Sequence, residues 1–281
     1  MPFPHKQVLI TGATSGIGLA LTERLLENKI SVIAVARTTA RLEALLAKHG
    51  PAHLAIEPLD VTGLASLPDW AARITATYPA VTALFLNAGV QHALPLGPPT
   101  TGGSDGTGVA AITADVLAAT TAELTTNYLA PLHTTLLFLP HLRAHAAAGR
   151  PAALYYVTSA LALVPLPRCA NYCASKAALR ALAWQVRAQL RDEERQSGQD
   201  AVRVVEIVPP AVQTELHTRQ GLAPIGMPLG DFIDEMWVAL ESGEQDEILV
   251  GPAKEYAHID DAKREAFQQL LEARRGQEDE A

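Results

Sequence analysis

Short apolar runs rich in β-branched residues alternate along the chain with longer segments in which apolar residues recur every three or four positions. The first pattern is typical of buried strands and the second of amphipathic helices. Strands are predicted at Gln7–Thr11, Ser31–Val35, His53–Glu57, Ala83–Leu86, Ala152–Thr158, Arg203–Val208 and Glu247–Val250. Helices are predicted at residues 16–28, 38–50, 65–78 and 171–190.

Strands that alternate with helices predict βαβ units, in which a helix connects two parallel strands. We therefore expect a doubly wound α/β fold, with a parallel sheet of about seven strands and helices on both faces. The pattern continues to the end of the last strand, so we predict one domain over residues 1–281. Residues 96–108 are dense in Gly, Pro, Ser and Thr and are expected to form an inserted loop.

Composition narrows the class of partner. The chain is 48% hydrophobic and 19% charged, which is enough apolar material for a full core. Its formal net charge of -8 argues against nucleic acid and anionic membranes, both of which attract excess Lys and Arg. The longest apolar stretch, residues 128–142, is too short to span a bilayer, and no signal peptide is recognisable. We expect a cytoplasmic protein that acts on a small molecule.

The two cysteines, Cys169 and Cys173, and the nine histidines form no zinc or HExxH-like pattern. We therefore predict no metal site and interpret the cysteines as small packed thiols. Glu206 lies inside an otherwise apolar strand and is expected to be paired with a partner that the sequence does not identify. His92, just beyond the fourth strand, is expected at the rim of a loop.

The stretch TGATSGIG, residues 11–18, lies between the first strand and the first helix. In an open α/β sheet, glycines at such a turn let the backbone approach a diphosphate, which the amides at the helix start then bind. The glycine spacing is neither that of GxGxxG nor that of a P-loop. An ordinary flexible turn is an equally good interpretation of this segment alone.

A second group of residues favours chemistry. Tyr172 and Lys176 are four residues apart in a helical segment and therefore share one face. An ammonium beside a phenol favours the phenolate, so the pair is a candidate acid/base. This spacing is frequent by chance, but Ser159 follows a predicted strand, at the edge where parallel sheets bind ligands.

These motifs together resemble the short-chain dehydrogenase/reductase family, in its compact single-domain branch. The resemblance covers TGxxxGxG at residues 11–18, the Asn-Ala-Gly segment at 87–89, Asn127, Ser159, and Tyr172 with Lys176, in the order typical of the family. It implies a Rossmann-like fold and hydride transfer between a nicotinamide cofactor and a ketone or secondary alcohol.

The resemblance also implies a role for each catalytic residue. Tyr172 would donate a proton to a ketone, or accept one from an alcohol. Lys176 would lower the pKa of Tyr172 and hold the nicotinamide ribose, Ser159 would hydrogen-bond the substrate oxygen, and Asn127 would anchor a water molecule of the proton relay.

Four segments would contact the cofactor by the same resemblance: the glycine turn, the turns after the third and fourth strands, and residues 209–214. Their residues are Gly12, Ser15, Gly16, Ile17, Gly18, Asp60, Val61, Asn87, Ala88, Gly89, Pro209, Val212 and Thr214, besides Tyr172 and Lys176. The segment PPAVQT departs from the family's PGxVxT loop, because Pro210 stands where glycine is usual.

Two residues bear on the choice of nicotinamide. Family members that prefer NAD carry an acidic residue at the end of the second strand, whereas Ala36 stands there and Arg37 follows it. A guanidinium suits a 2′-phosphate. We predict that NADP(H) is preferred over NAD(H), although a solvated arginine is the plain alternative.

The sequence is less informative about substrate and assembly. Residues 215–240 are apolar and punctuated by proline, and we predict a lid over an apolar carbonyl or alcohol substrate. A C-terminal helix and tail are predicted at about residues 258–281. The family resemblance implies a homodimer or homotetramer. An alternative function is a catalytically silent NADP(H)-binding regulator, which retention of Tyr172 with Lys176 disfavours.

Overall fold

A computed structural model describes residues 3–94 and 114–279, so the predicted loop at 96–108 lies outside the described residues. Within them, a parallel sheet has the strand order β3-β2-β1-β4-β5-β6-β7. Its strands are β1 (Gln7–Thr11), β2 (Ser31–Ala36), β3 (Leu54–Pro58), β4 (Ala83–Leu86), β5 (Ala153–Val157), β6 (Arg203–Val208) and β7 (Glu247–Leu249).

Helices connect these strands and extend beyond the last one. They are α1 (Gly16–Glu27), α2 (Thr39–His49), α3 (Leu67–Thr77), α4 (Ala114–Leu124), α5 (Ala130–Ala147), α6 (Ala170–Ser197), α7 (Glu215–Thr218), α8 (Leu229–Ser242) and α9 (Asp261–Asp279). A π-helical turn, Thr125–Leu129, joins α4 to α5 without a break. No helix within the described residues is both long and apolar enough to cross a membrane.

Each face of the sheet supports its own core. Val8 and Ile10 of β1 pack with helices α1, α2 and α8 on one face. Leu9, between them in sequence, packs with helices α3, α5 and α6 on the other. Successive strand side chains point to opposite faces, and both faces are buried, so the strands read as continuous apolar runs. The predicted doubly wound fold is therefore confirmed.

The structure narrows the predicted lid at residues 215–240. Its second half belongs to α8, in which Phe232, Met236 and Trp237 are buried in the core beside α1. The apolar character of this stretch reflects core packing, because a helix in contact with a sheet needs one apolar face. Residues 215–228 remain the part for which a lid is a prediction.

The strand order reverses direction between β1 and β4. The connection from β1 proceeds outward through β2 to β3, and the chain then returns to place β4 on the other side of β1. In open α/β sheets, ligands bind in the crevice at the carboxyl ends of the strands at such a switch point. This edge carries the glycine turn after β1 and the Asn-Ala-Gly segment after β4.

Candidate active site

Tyr172 lies in the first turn of α6, near the carboxyl end of β5. Its side chain is buried, and Leu161, Cys169 and Cys173 pack beside it. Burial raises the pKa of Tyr172 above its ordinary value of 10.0, whereas a hydrogen bond with the Ser159 side chain lowers it. The phenol is therefore protonated at neutral pH and lies next to Ser159.

Lys176 follows Tyr172 by one turn of α6 and is also buried. Its Nζ lies 5.8 Å from the centre of the Tyr172 ring and donates to the backbone oxygen of Val157 at 2.8 Å. Burial lowers the pKa of Lys176 from 10.5 to about 8. The effect of Lys176 on the pKa of Tyr172 stays a prediction.

Ser159 begins a turn of 3-10 helix directly after β5. Its Oγ accepts a hydrogen bond from the backbone N–H of Leu161 at 3.1 Å, which caps this turn. A hydroxyl that accepts one bond keeps its own proton for a further partner. The next residue, Ala160, donates its N–H to the backbone oxygen of Pro209 at 2.8 Å, so this turn is tied to the 209–214 segment.

Asn127 occupies the π-helical turn and is completely buried. Its Oδ1 accepts from the N–H of Val90 at 2.9 Å, and its Nδ2 donates to the oxygen of Val90 at 2.9 Å and to Ser175 Oγ at 3.0 Å. Ser175 in turn donates to the backbone oxygen of Tyr172 at 2.7 Å. π-turns recur at functional sites, and this one fastens the segment after β4 to the start of α6.

Gly89 connects this amide with the lysine. A Cβ atom at position 89 would lie 3.4 Å from Asn127 Oδ1 and 3.4 Å from Lys176 Nζ. Gly89 therefore lies between these two side chains, and a larger residue would enter the space that they border. The sequence identified all three positions, and the structure brings them together.

Backbone conformation explains the glycine turn. Gly12 and Gly16 have φ values of +71° and +50°, which side chains rarely allow. At Gly18, in the first turn of α1, a Cβ would lie 2.2 Å from the oxygen of Gly12 and 2.4 Å from Asn87 Nδ2. The start of α1 therefore packs directly against the ends of β1 and β4.

Thr11 fastens the ends of β1 and β4 together, a role that sequence reasoning did not assign. Its Oγ1 accepts from the N–H groups of Asn87 and Ala88, both at 3.1 Å, and donates to the oxygen of Phe85 at 3.3 Å. Asn87 returns a bond from Nδ2 to the oxygen of Thr11 at 2.9 Å. These contacts hold the two predicted cofactor segments in a fixed relation.

The 209–214 segment approaches the same turn. A Cβ at Gly16 would lie 3.2 Å from Thr214 Cβ, so Thr214 is in contact range of the glycine turn. Val212 is buried, and its neighbours pair with Met227: Gln213 N–H donates to the oxygen of Met227 at 2.9 Å, and Met227 N–H to Ala211 at 2.8 Å. The substitution of proline at position 210 thus leaves a well-bonded loop.

The remaining predicted cofactor residues follow strands β2 and β3. Asp60 and the buried Val61 follow β3, and Asp60 Oδ1 accepts from Thr62 N–H at 2.9 Å and Thr62 Oγ1 at 2.7 Å, a turn-forming role. Arg37 follows β2, is exposed, and makes no ion pair with the described residues. It lies two residues beyond Val35, whose oxygen accepts the N–H of Gly12 at 2.8 Å.

The glycine turn has the properties of a diphosphate site. Ser15 precedes α1 and Ile17 lies in its first turn, and among the described residues no side chain caps this helix start. Uncapped amides at a helix start favour an anionic group. The residues present therefore fit a dinucleotide, whose diphosphate the Gly12–Gly18 turn would hold.

Glu123 is a further residue that sequence reasoning missed. It lies one turn before Asn127, and its buried carboxylate accepts from Asn171 Nδ2 at 2.6 Å and from His92 N–H at 2.8 Å. It thereby connects the segment after β4 to the residue preceding Tyr172. A helical period through residues 123 and 127 was the available signal.

The two cysteines pack beside Tyr172, whereas two surface clefts lie away from the candidate catalytic residues. Cys169 and Cys173 are free and buried, with their sulfur atoms 3.9 Å apart. Two clefts of about 420 Å³ each are lined by other residues, one around Arg143 and Ser197 and the other around Trp184 and Arg264. The chemistry-bearing side chains therefore do not line either of these clefts.

Comparisons with known proteins bear on the family and the fold of this chain. A family model for short chain dehydrogenases matches residues 6–223. The uncharacterized oxidoreductase DltE of Bacillus subtilis (strain 168) is 33% identical over 253 residues, which cover 88% of each chain.

Two solved structures extend the similarity to the fold. A short chain dehydrogenase from Burkholderia cenocepacia J2315 in complex with NADP is 27% identical, with a TM-score of 0.70 over 96% of this chain and 99% of that chain. A short-chain dehydrogenase from Sphingobium yanoikuyae in complex with NADPH is 25% identical, with a TM-score of 0.69 over 97% and 95%. The chain therefore belongs to the short-chain dehydrogenase family.

Proposed function

We propose that this protein transfers hydride between NADP(H) and a ketone or secondary alcohol, with Tyr172 as the acid/base. The observation that carries the proposal is the buried phenol of Tyr172, beside Ser159 and one helical turn from the ammonium of Lys176. These groups lie at the edge of the sheet where doubly wound proteins bind ligands.

In the direction of reduction, Tyr172 gives its proton to the carbonyl oxygen of the substrate. Its raised pKa keeps that proton available at neutral pH. The Ser159 hydroxyl donates a hydrogen bond to the same oxygen, where negative charge develops, and keeps its proton. The nicotinamide, when bound, supplies the hydride that adds to the carbonyl carbon.

Once the proton has left, the phenolate is buried and its charge needs compensation. The Lys176 ammonium is the nearby cation, and it stabilises the phenolate until a proton returns. Asn127 is proposed to hold a water molecule on this return path. Its network with Val90 and Ser175 supports that role, because it fixes the amide beside Gly89 and Lys176.

NADP(H) is proposed as the preferred cofactor. The exposed guanidinium of Arg37 follows β2 and has no acidic partner among the described residues, so it is available for a 2′-phosphate. The NADP and NADPH bound in the Burkholderia and Sphingobium proteins support the same choice.

The substrate is proposed to be an apolar small molecule. Leu161 packs against Tyr172 and the two thiols, and Val164 and Leu166 on the same connection are partly exposed.

A homodimer or homotetramer in the cytoplasm is proposed as well. Exposed leucines at positions 117, 124 and 136, on the continuous helix that contains Asn127, support burial of this surface in a second copy.

The test is NADPH consumption over a panel of ketones, aldehydes and quinones. Tyr172→Phe should lower kcat by about 100-fold to 10,000-fold, since general acid–base catalysis contributes that much. Tyr156→Phe is the matched control: it removes another buried phenol, bonded to Thr135 Oγ1 at 2.6 Å in the core, and should keep kcat.

Equal rates in the wild type and Tyr172→Phe would contradict the assignment of the acid/base. Tight NADPH binding without turnover of any panel member would instead favour the regulator.

A further inference from the structure

Glu206 is a carboxylate inside the protein that the proposed reaction does not use. It belongs to β6 and has no exposed surface. Its Oε1 accepts from Thr158 Oγ1 at 2.6 Å, and its Oε2 accepts from Arg180 Nη1 at 2.5 Å. One carboxylate therefore bridges the end of β5 to helix α6.

Arg180 is held rigidly at the other end of this bridge. Its side chain is 2% exposed and contacts Glu206, Glu247 at 3.0 Å and Asp260 at 2.8 Å. Burial alone would lower the pKa of Arg180, but Glu206 and Glu247 raise it above its ordinary value. The guanidinium is a permanent cation with its donors directed at fixed carboxylates.

The bridge ends next to the proposed catalytic groups. Arg180 follows Lys176 by four residues, so the two lie on one face of α6. Lys176 Nζ bonds the oxygen of Val157, while Arg180 reaches Thr158 through Glu206. Two successive residues at the end of β5 are thus attached to α6, and Ser159 comes directly after them.

Stability alone is a weak reason for such an arrangement. Replacing a buried ion pair with apolar residues of similar volume is often neutral or stabilising. The placement of this pair, between the strand that presents Ser159 and the helix that presents Tyr172, accounts for it better. An error of about 1 Å in the spacing of reacting groups can cost about a hundredfold in rate.

We infer that Glu206, together with Arg180 and Thr158, forms a positioning bridge that sets the distance of Ser159 from Tyr172 and Lys176. None of the three bridge residues touches the reacting atoms. The inference rests on the proposed function, since it assigns the bridge to that reaction. Loss of the bridge slows the chemical step while leaving the diphosphate site at the glycine turn intact.

Thr158→Val is the most conservative test, because it removes the hydroxyl and keeps the shape of the side chain. That hydroxyl also lies 3.2 Å from the oxygen of Ile207, an acceptor that keeps its ladder bond from the Thr158 N–H at 2.9 Å. We expect kcat for ketone reduction to fall about tenfold. KM for NADPH should stay within about twofold, and Thr158→Ser should restore kcat because it keeps the hydroxyl.

Thr135→Val provides the matched control. Thr135 of α5 is equally buried, and its hydroxyl bonds the hydroxyl of Tyr156 in β5 at 2.6 Å, in the core. If any lost buried hydroxyl slowed turnover, both valine variants would do so. We expect Thr135→Val to keep kcat within about twofold of the wild type.

A double variant tests the ion pair itself. Arg180→Met with Glu206→Leu replaces both charges by apolar side chains, a change that buried pairs often tolerate without unfolding. We expect unchanged NADPH binding in a fluorescence titration and a kcat at least about tenfold below that of the wild type.

Wild-type kcat in Thr158→Val and in the double variant would overturn the positioning bridge while leaving the proposed function standing. The same holds if Thr158→Ser fails to restore turnover in a folded protein. A wild-type protein that consumes no NADPH with any carbonyl compound would overturn both.

Discussion

The Lys176 ammonium has exchanged water for the carbonyl of Val157, at 2.8 Å, in a site where its side chain is almost completely buried. Burial disfavours the charged form, so the pKa of Lys176 falls from 10.5 to about 8. The unfolded chain therefore binds this proton more tightly than the folded protein does.

This difference makes a pH-dependent contribution to stability. Between pH 8 and 10.5 the unfolded state holds more protons, so raising the pH through this window stabilises the fold. We expect the free energy of unfolding of the wild type, minus that of Lys176→Met, to rise by about 3 kcal/mol across it. Urea denaturation at a series of pH values measures the difference, and a difference that does not change with pH would contradict the lowered pKa of Lys176.

At the end of β2, a single residue is expected to decide the choice between NADPH and NADH. Ala36→Asp would place at the end of β2 a carboxylate that can accept from ribose hydroxyls and would repel a 2′-phosphate. We expect the ratio of NADPH to NADH affinity to fall at least tenfold, or about 1.4 kcal/mol, in a fluorescence titration.

Arg37→Ala should weaken NADPH binding without affecting NADH. Arg41→Ala is its matched control, because the Arg41 guanidinium is already paired with Glu215 at 3.0 Å. An unmodified protein that binds NADH more tightly than NADPH would contradict the proposed preference.

The residues of the candidate site differ in how far sequence reveals them. Tyr172 and Lys176 share a helix face, so their spacing alone predicts proximity. Glu206 signals through its polarity within an apolar strand that it needs a partner, yet Arg180 is 26 residues away, and only the packing of α6 on the sheet joins them. The bond from Lys176 to Val157 is equally a product of tertiary packing.

At the scale of elements, the junction of β1 with α1 depends on close backbone approach. Gly18→Ala would place a methyl group 2.2 Å from the oxygen of Gly12. We expect this change to lower the free energy of unfolding by about 1–3 kcal/mol, as overpacking does. It should also weaken NADPH binding, because the glycine turn must shift.

Gly230→Ala is the comparison. Gly230 lies in the first turn of α8. Apart from its chain neighbours and the nearby backbone of its own helix, no atom of the described residues lies within 4 Å of where its Cβ would be. Alanine there should be neutral or slightly stabilising. Chemical denaturation of both variants checks the pair, and equal destabilisation would contradict close contact at Gly18 as the cause.

The sequence predicts a secondary-structure element correctly where its apolar pattern has a single structural explanation. Each predicted strand is present, with ends that shift by at most one residue, because strands buried on both faces are apolar throughout. The second half of the predicted lid, residues 229–240, belongs instead to the core helix α8. The sequence does not separate the two structures, because a core helix and a lid both need apolar residues. The π-helical turn has no periodic signature, since it arises from the contacts of Asn127 with Val90 and Ser175.

For the whole molecule, a ligand that binds the folded protein alone must stabilise it. At a concentration of about 100 times Kd, this contributes about 2.7 kcal/mol. A chain of this size should then gain roughly 5–10 °C in Tm. Thermal unfolding with NADPH should show this gain, and Gly18→Ala should show less of it at the same concentration. A wild-type Tm that does not respond to saturating NADPH would contradict the proposed cofactor.

The architecture was the most predictable level. Alternating strands and helices dictate a parallel sheet covered on both sides, and the return of the chain from β3 to β4 creates the crevice. The relation between the two sides of this crevice depends on hydrogen bonds that Asn87 N–H and Ala88 N–H donate to Thr11 Oγ1. Pairings between residues so distant in sequence cannot be inferred from local pattern.

The π-helical turn at Thr125–Leu129 divides the continuous helix formed by α4 and α5 into two parts, whose side chains are rotated differently about the helix axis. Glu123 before the turn and Asn127 within it face the site, whereas downstream Phe138 and Leu142 are buried in the core. Each residue advances an α-helix by about 100°, so losing one residue here would rotate everything on one side of the turn. The number of residues in this turn therefore sets how α4 is rotated relative to α5. That number, more than the residue types, keeps the site residues facing the site while the residues of α5 stay in the core. Insertions or deletions of one residue should be the least tolerated changes along this continuous helix.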